Sequence, residues 1–208
     1  MSLVGLRVGV SGSGNVAQYA IEKAMELGAK VVTVSDSSGS VIDREGFTAE
    51  KLAILMEVKN HLYGRVSDYA ERVKAEFLPG KRPWHVAMDV ALPCATQNEL
   101  NEEDARVLVA NGVKCVAEGA NMPSTLQAIA VFEQSGVPYA PGKASNAGGV
   151  ATSGLEMSQN AMRLVWDRQE VESRLHGIMT GIHQTCVDHG TRADGSISYV
   201  DGANVAGF

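Results

Sequence analysis

No stretch of the sequence runs apolar far enough to cross a bilayer, and its first residues lack the basic-then-apolar layout of a secretory leader. Positive charge is also short: 18 Lys and Arg stand against 24 Asp and Glu, a formal net charge of -6. A nucleic-acid or anionic-membrane surface needs clustered cations, so neither partner is expected and a small-molecule ligand is. Cysteine is scarce and scattered. Cys94, Cys115 and Cys186 form no C-x-x-C pair and no Cys/His cluster that would hold zinc, which reads as reduced thiols in an intracellular, cytoplasmic setting. His176, His183 and His189 fall in one helical stretch but not at the i, i+4 spacing of a zinc helix, so no metal is expected. What remains is 208 residues, 45% apolar and 20% charged, enough for one domain with a sizeable core.

The chain opens on a strand–helix–strand pattern. Leu6 to Ser11 reads as a buried strand, Asn15 to Leu27 carries Val16, Ala20, Ala24 and Leu27 at helical spacing before Gly28, and Lys30 to Asp36 is a second strand. Parallel strands require the helix between them, so this is a βαβ unit. Two helices are predicted next, Ala49 to His61 capped by Thr48 and Asp68 to Glu76 capped by Ser67. Alternation then resumes, with strands at residues 85–92, 113–119 and 137–140 and helices at 102–112 and 124–136. The fold class expected is α/β, a doubly wound, mostly parallel, Rossmann-like sheet. From Val150 two long helical patterns follow with no strand between them, and residues 198–208 read as loop. Met157, Met162, Leu164 and Val165 are expected in a core or an interface. The organisation predicted is residues 1–4 extraneous, 5–149 a dinucleotide-binding domain and 150–208 a helical appendage packed on it within the same domain, in a chain cut short at both ends.

Val8 to Ala20, "VGVSGSGNVAQYA", places Gly12, Gly14 and Ala17 in a G-x-G-x-x-A pattern between the first strand and its helix. The first glycine permits the tight turn, the second lets a phosphate approach the backbone, and Ala17 keeps the helix close to the sheet. The backbone of Ser13, Gly14, Asn15 and Val16, at the positive end of that helix, is then a seat for a pyrophosphate. Asp36 ends the next strand about 20 residues on, where an acid accepts from a ribose. Spacing alone says NAD, because an acid there repels the 2′-phosphate of NADP. Yet "SDSSG" follows, in which Ser37, Ser38 and Gly39 offer donors to a phosphate, with Lys59 or Arg65 able to add positive charge. The residues leave NADP and NAD both open.

Three further segments lie at the carboxyl ends of the predicted strands, where a doubly wound sheet binds its ligand: "ALPCATQNEL", "VAEGANMPST" and "APGKASNAGGVATSGLEMSQNA". Ala95, Thr96 and Gln97 of the first, Gly119 and Asn121 of the second, and Asn146 of the third are the candidate cofactor contacts; their amides and hydroxyl suit ribose hydroxyls and a carboxamide. Ser153 and the helix start around it could receive a substrate carboxylate beside Val150. Cys94 has no base beside it in "PCATQ" and reads as a packed side chain.

In their order and placement these segments resemble the cofactor-binding half of the hexameric glutamate dehydrogenases, and "VSGSGNVAQYAIEKAMELGA" with "SDSSG" looks most like the bacterial NADP-dependent members. The resemblance implies NADP as cofactor, with NAD the alternative, and Ser37 and Lys59 at its 2′-phosphate. It also implies Asn121 and Asn146 near the nicotinamide, and Val150 and Ser153 against the glutamate side chain. In that family the catalytic lysine and aspartate belong to a preceding domain, so no catalytic residue is expected in this chain, and the isolated chain is expected to be inactive. The implied activity of the full-length parent, a homohexamer, is reversible oxidative deamination of L-glutamate to 2-oxoglutarate and ammonia, as part of nitrogen assimilation. A leucine, phenylalanine or valine dehydrogenase of the same superfamily, and a non-catalytic nucleotide-sensing module, are the alternatives.

Overall fold

The computed structural model describes residues 2–207. Its β-branched start forms strand β1 (Arg7–Val10), in which Val8 and Val10 are fully buried. Helix α1 (Asn15–Glu26) returns the chain, burying Ala17, Ile21 and Ala24 along one stripe, and β2 (Lys30–Asp36) pairs with β1 in parallel. The expected βαβ unit is present.

Beyond Asp36 the chain does what the sequence pattern did not predict. It reverses through Ser37 and Ser38 into β3 (Gly39–Ile42), antiparallel to β2, with Asp36 directly opposite Gly39. Helix α2 (Ala49–Met56), capped by Thr48 Oγ1, widens into a π-helical turn over Glu57–His61 instead of continuing as α-helix. Helix α3 is Val66–Val73, so it starts before the expected cap at Ser67. Asp68 accepts from the Arg65 N–H at 2.7 Å, and Asp36 accepts from the Val66 N–H at 3.0 Å, which satisfies donors a helix start leaves orphaned. Glu76, expected to end a helix, instead opens strand β4 (Glu76–Pro79), antiparallel to β3. Four-residue strands and a Ser-Ser turn carry little periodic signal, which is why this antiparallel edge of the sheet escaped prediction.

A 3₁₀ turn at Pro83–His85 leads into β5 (Val90–Leu92), which returns to the other side of β1, again parallel. Helix α4 (Glu102–Ala110), β6 (Cys115–Ala117), helix α5 (Leu126–Gln134) and β7 (Tyr139–Ala140) complete a seven-stranded sheet of order β4-β3-β2-β1-β5-β6-β7. The strand order reverses between β1 and β5, so the ends of those two strands splay apart into a crevice. The core lies on the β1–β2 side, where Ile21, Leu55, Val66 and Tyr69 are buried completely.

The chain divides into two compact units, residues 1–139 and 140–208, a division that falls before the change of pattern at Val150. The second unit is helical: α6 (Gly142–Ser145), α7 (Gly148–Met162), α8 (Arg168–Gly190) and α9 (Tyr199–Ala206). The last replaces the expected terminal loop; Ser198 caps it through the Asp201 N–H, and Tyr199 meets His183 of α8 at 3.2 Å. Met157, Met162, Leu164 and Val165 are exposed, which removes them from any core. Among the described residues no group of His, Cys, Asp and Glu could hold a metal, and no helix is long and apolar enough to cross a membrane.

Candidate functional site

The tips of β1, β2 and β5 frame a crevice of about 600 Å³, a size that suits a small-molecule ligand. Its lining includes Gly12, Ser13, Gly14, Asn15, Val16, Asp36, Ser37, Ala95 and Thr96, so eight of the predicted contacts, all but Gly12, are brought together in the first unit. The turn has the shape its glycines allow. Gly12 has φ of +82°, and a Cβ there would lie 2.8 Å from the Cys94 carbonyl oxygen; Gly14 has nothing within 4 Å of where its Cβ would stand. Helix α1 has neither a side-chain cap nor an acidic residue in its first turn. Its free N–H groups therefore face the crevice with no competing anion, an arrangement that favours a bound one.

Asp36 is the most committed side chain of the crevice. Its Oδ1 accepts from the Ser38 N–H at 2.8 Å and the Ser38 hydroxyl at 2.6 Å, and its Oδ2 accepts from Lys59 Nζ at 3.1 Å and the Val66 N–H at 3.0 Å. Burial pushes its carboxyl upwards, but the bonds from Ser38, Val66 and Lys59 outweigh that and hold it below the ordinary carboxylate range. Lys59 also donates to the Gly64 carbonyl at 2.8 Å. The Ser38 donors are thus spent on Asp36, and Lys59 stands beside Asp36 as its ion-pair partner. Ser37 remains at the lip, its hydroxyl accepting from Arg65 at 2.8 Å.

The other predicted residues lie further out. Gly119 stands behind the crevice wall: a Cβ there would come within 2.5 Å of Cys94 Sγ, and its N–H is given to the Pro93 carbonyl at 2.9 Å. Gly119 is thus a tightly packed position whose N–H is already given. Gln97 and Asn121 are outside the crevice lining, on two loops tied by the Asn98 N–H to the Met122 carbonyl at 3.0 Å. Asn146, Val150 and Ser153 belong to the second unit. Val150 and Ser153 are exposed, and Ser153 sits in the second turn of α7, past the free N–H groups of the helix start.

Several residues that sequence reasoning passed over shape the site. Lys81 and Arg82 line the crevice, brought there by the unforeseen strand β4, which pairs with β3 and ends at Pro79. Gln18 is buried on the inner face of α1; its amide donates to the Ser13 carbonyl at 2.8 Å and exchanges bonds with the Asn60 amide at 3.1 and 3.0 Å, joining the glycine turn to the π-helical turn that carries Lys59. A polar residue among Ala17, Ile21 and Ala24 was the available signal. Glu99, also in the lining, accepts from the Ser11 hydroxyl at 2.7 Å and the Ala95 N–H at 2.9 Å, and burial raises its pKa. Cys94 is a packed thiol, as expected: burial, with the charge of Glu99, pushes it up to about 12.

A glycine turn into an uncapped helix, at the switch point of a doubly wound sheet, defines an α/β protein of dinucleotide-fold class. Comparison narrows this: the chain matches the Glutamate/Leucine/Phenylalanine/Valine dehydrogenase family over residues 1–208, and it belongs to that family. It is 61% identical over 208 residues to an NADP-specific glutamate dehydrogenase of Escherichia coli strain K12, covering 100% of this chain and 46% of that protein. An NAD-specific glutamate dehydrogenase of Bacteroides fragilis is 54% identical over 209 residues, covering 100% of this chain and 47% of that one. The crystal structure of Plasmodium falciparum glutamate dehydrogenase superposes with a TM-score of 0.94 at 43% identity, over 97% of this chain and 44% of that one. The chain therefore spans a little under half the length of the curated relatives it matches, and the resemblance read from its motifs is borne out.

Proposed function

We propose that this chain is the coenzyme-binding part of an NADP-dependent glutamate dehydrogenase. One observation carries the coenzyme reading: a single crevice joins an uncapped helix N-terminus to an aspartate whose two oxygens are already filled. With four donors upon it, one of them Lys59, Asp36 has neither the spare lone pairs to grip an unmodified ribose nor the net charge to repel a 2′-phosphate. Ser37 and the Arg65 guanidinium on its hydroxyl stand beside it to receive that phosphate, and Ser13, Gly14, Asn15 and Val16 hold the diphosphate.

The bound coenzyme supplies the hydride acceptor and donor. This chain's residues orient it: Ala95 and Thr96 along the crevice floor, Gln97, Asn121 and Asn146 by amide hydrogen bonds at the nicotinamide end, and Val150 and Ser153 against the L-glutamate or 2-oxoglutarate. The groups that move protons to and from nitrogen are assigned to the remainder of a longer, homohexameric, cytoplasmic parent. High identity over the whole chain to relatives named glutamate dehydrogenase favours glutamate over leucine, phenylalanine or valine.

Calorimetric titration of the 208-residue chain tests this. NADPH should bind about tenfold or more tightly than NADH, with the preference shrinking as salt screens the phosphate contacts, and glutamate with NADP should yield no NADPH. Equal affinity for the two coenzymes would overturn the NADP reading, and no binding of either would overturn the site.

A further inference from the structure

We propose that Glu99 is the positioning residue of this crevice: its buried carboxylate pins the loop of residues 94–96 onto the end of β1 in the shape that receives a dinucleotide. The inference rests on the nucleotide reading above and adds a residue to it.

The loop has no ladder to hold it, since β5 ends at Leu92 and Pro93 has no N–H to give. The N–H groups of Cys94 and Ala95 are accounted for in one closed ring. The Cys94 N–H donates to Ser11 Oγ at 2.9 Å, the Ser11 hydroxyl donates to Glu99 Oε1 at 2.7 Å, and the Ala95 N–H donates to the same oxygen at 2.9 Å. The Thr96 N–H is directed to Glu99 as well. Ser11 is itself fixed by its N–H to the Leu92 carbonyl at 3.2 Å, so the ring couples β1, β5 and the loop. The loop carbonyl at Cys94 then lies against Gly12, at the mouth of the glycine turn. With its amides drawn down to Glu99, the loop turns Ala95 and Thr96 towards the crevice.

A neutral side chain would hold a loop at lower cost. Burial disfavours the Glu99 charge, and the charge of Arg82, which is also paired with Asp104 at 2.9 Å, does not fully offset it. An expensive group kept for three converging donors fits a demand for loop shape more than for stability alone.

The test compares Glu99→Ala, Glu99→Gln, Ser11→Ala and the double variant Ser11→Ala/Glu99→Ala in the 208-residue chain. Two quantities are read: NADPH affinity by calorimetry, and amide hydrogen exchange at Ala95 and Thr96 without ligand. Glu99→Ala should weaken NADPH about tenfold and accelerate exchange at both amides. Glu99→Gln keeps an acceptor for Ser11 and Ala95 and should restore affinity to within about threefold. The double variant should be no worse than Glu99→Ala, because Ser11 acts through the same ring. Should Glu99→Ala not fold, Ser11→Ala carries the test, with a loss of about threefold expected. Unchanged affinity and exchange in Glu99→Ala, or a glutamine variant as weak as the alanine one, would overturn the proposal. Wild-type chain that fails to bind NADPH sinks the nucleotide reading instead, and leaves the pin to be judged by exchange alone.

Discussion

The two units of this chain use apolar residues in opposite ways. In the first, a sheet gives each helix something to cover: Leu55 of α2, Tyr69 of α3 and Ile21 of α1 lose all exposure against β1, β2 and β3. In the second, α7 buries none of its residues, and Val165 just beyond it is 93% exposed. The same residue types therefore have different worth. A methyl group stabilises by what it displaces water from, so stability is concentrated where the crevice is built.

The sharpest way to break that contrast is to truncate a core side chain. Leu55→Ala should lower unfolding free energy by about 2–5 kcal/mol in urea denaturation, through lost transfer energy and the cavity left behind. A smaller effect, at the site itself, is expected of Asp36→Asn, which leaves Lys59 without its counter-charge and should cost about 1–3 kcal/mol at neutral pH. That cost is pH-dependent. Because the folded carboxyl titrates below its ordinary value of about 3.9, the unfolded chain binds more protons in acid, and the Asp36 contribution is complete above that value. It is lost as pH falls through the folded value, so the gap between wild type and Asp36→Asn in urea midpoints should narrow in acid. Smallest of all, Met157→Ala in the second unit should stay within about 0.5 kcal/mol of wild type, as an exposed substitution does. If Met157→Ala rivals Leu55→Ala, the contrast between the units is wrong.

Much of the fold was legible because it rests on long periodic signals. The stripe of α1 and the run of buried residues in β2 predicted both elements and their parallel pairing. The antiparallel edge β2–β3–β4 was illegible because β3 and β4 are too short for a period to develop and the Ser37-Ser38 turn between β2 and β3 lacks a glycine pair. Missing it concealed how Lys81 and Arg82 reach the crevice. Of the site, the glycine turn and Asp36 could be read because backbone geometry demands particular residues at particular spacings. Ion pairing could not: that Lys59 meets Asp36, and that Glu99 reaches Ser11 across 88 positions, are facts of tertiary approach without a local signature.

The antiparallel edge also decides how the sheet ends. Its outermost strand, β4, is only four residues long; it begins at Glu76, ion-paired with Arg44 at 3.3 Å, and stops at a proline that has no hydrogen to lend. At the opposite border β7 has two residues. A foreign strand seeking to extend the sheet finds a charged, truncated rim on one side and barely a foothold on the other, so neither border templates the edge-to-edge stacking by which β-proteins aggregate.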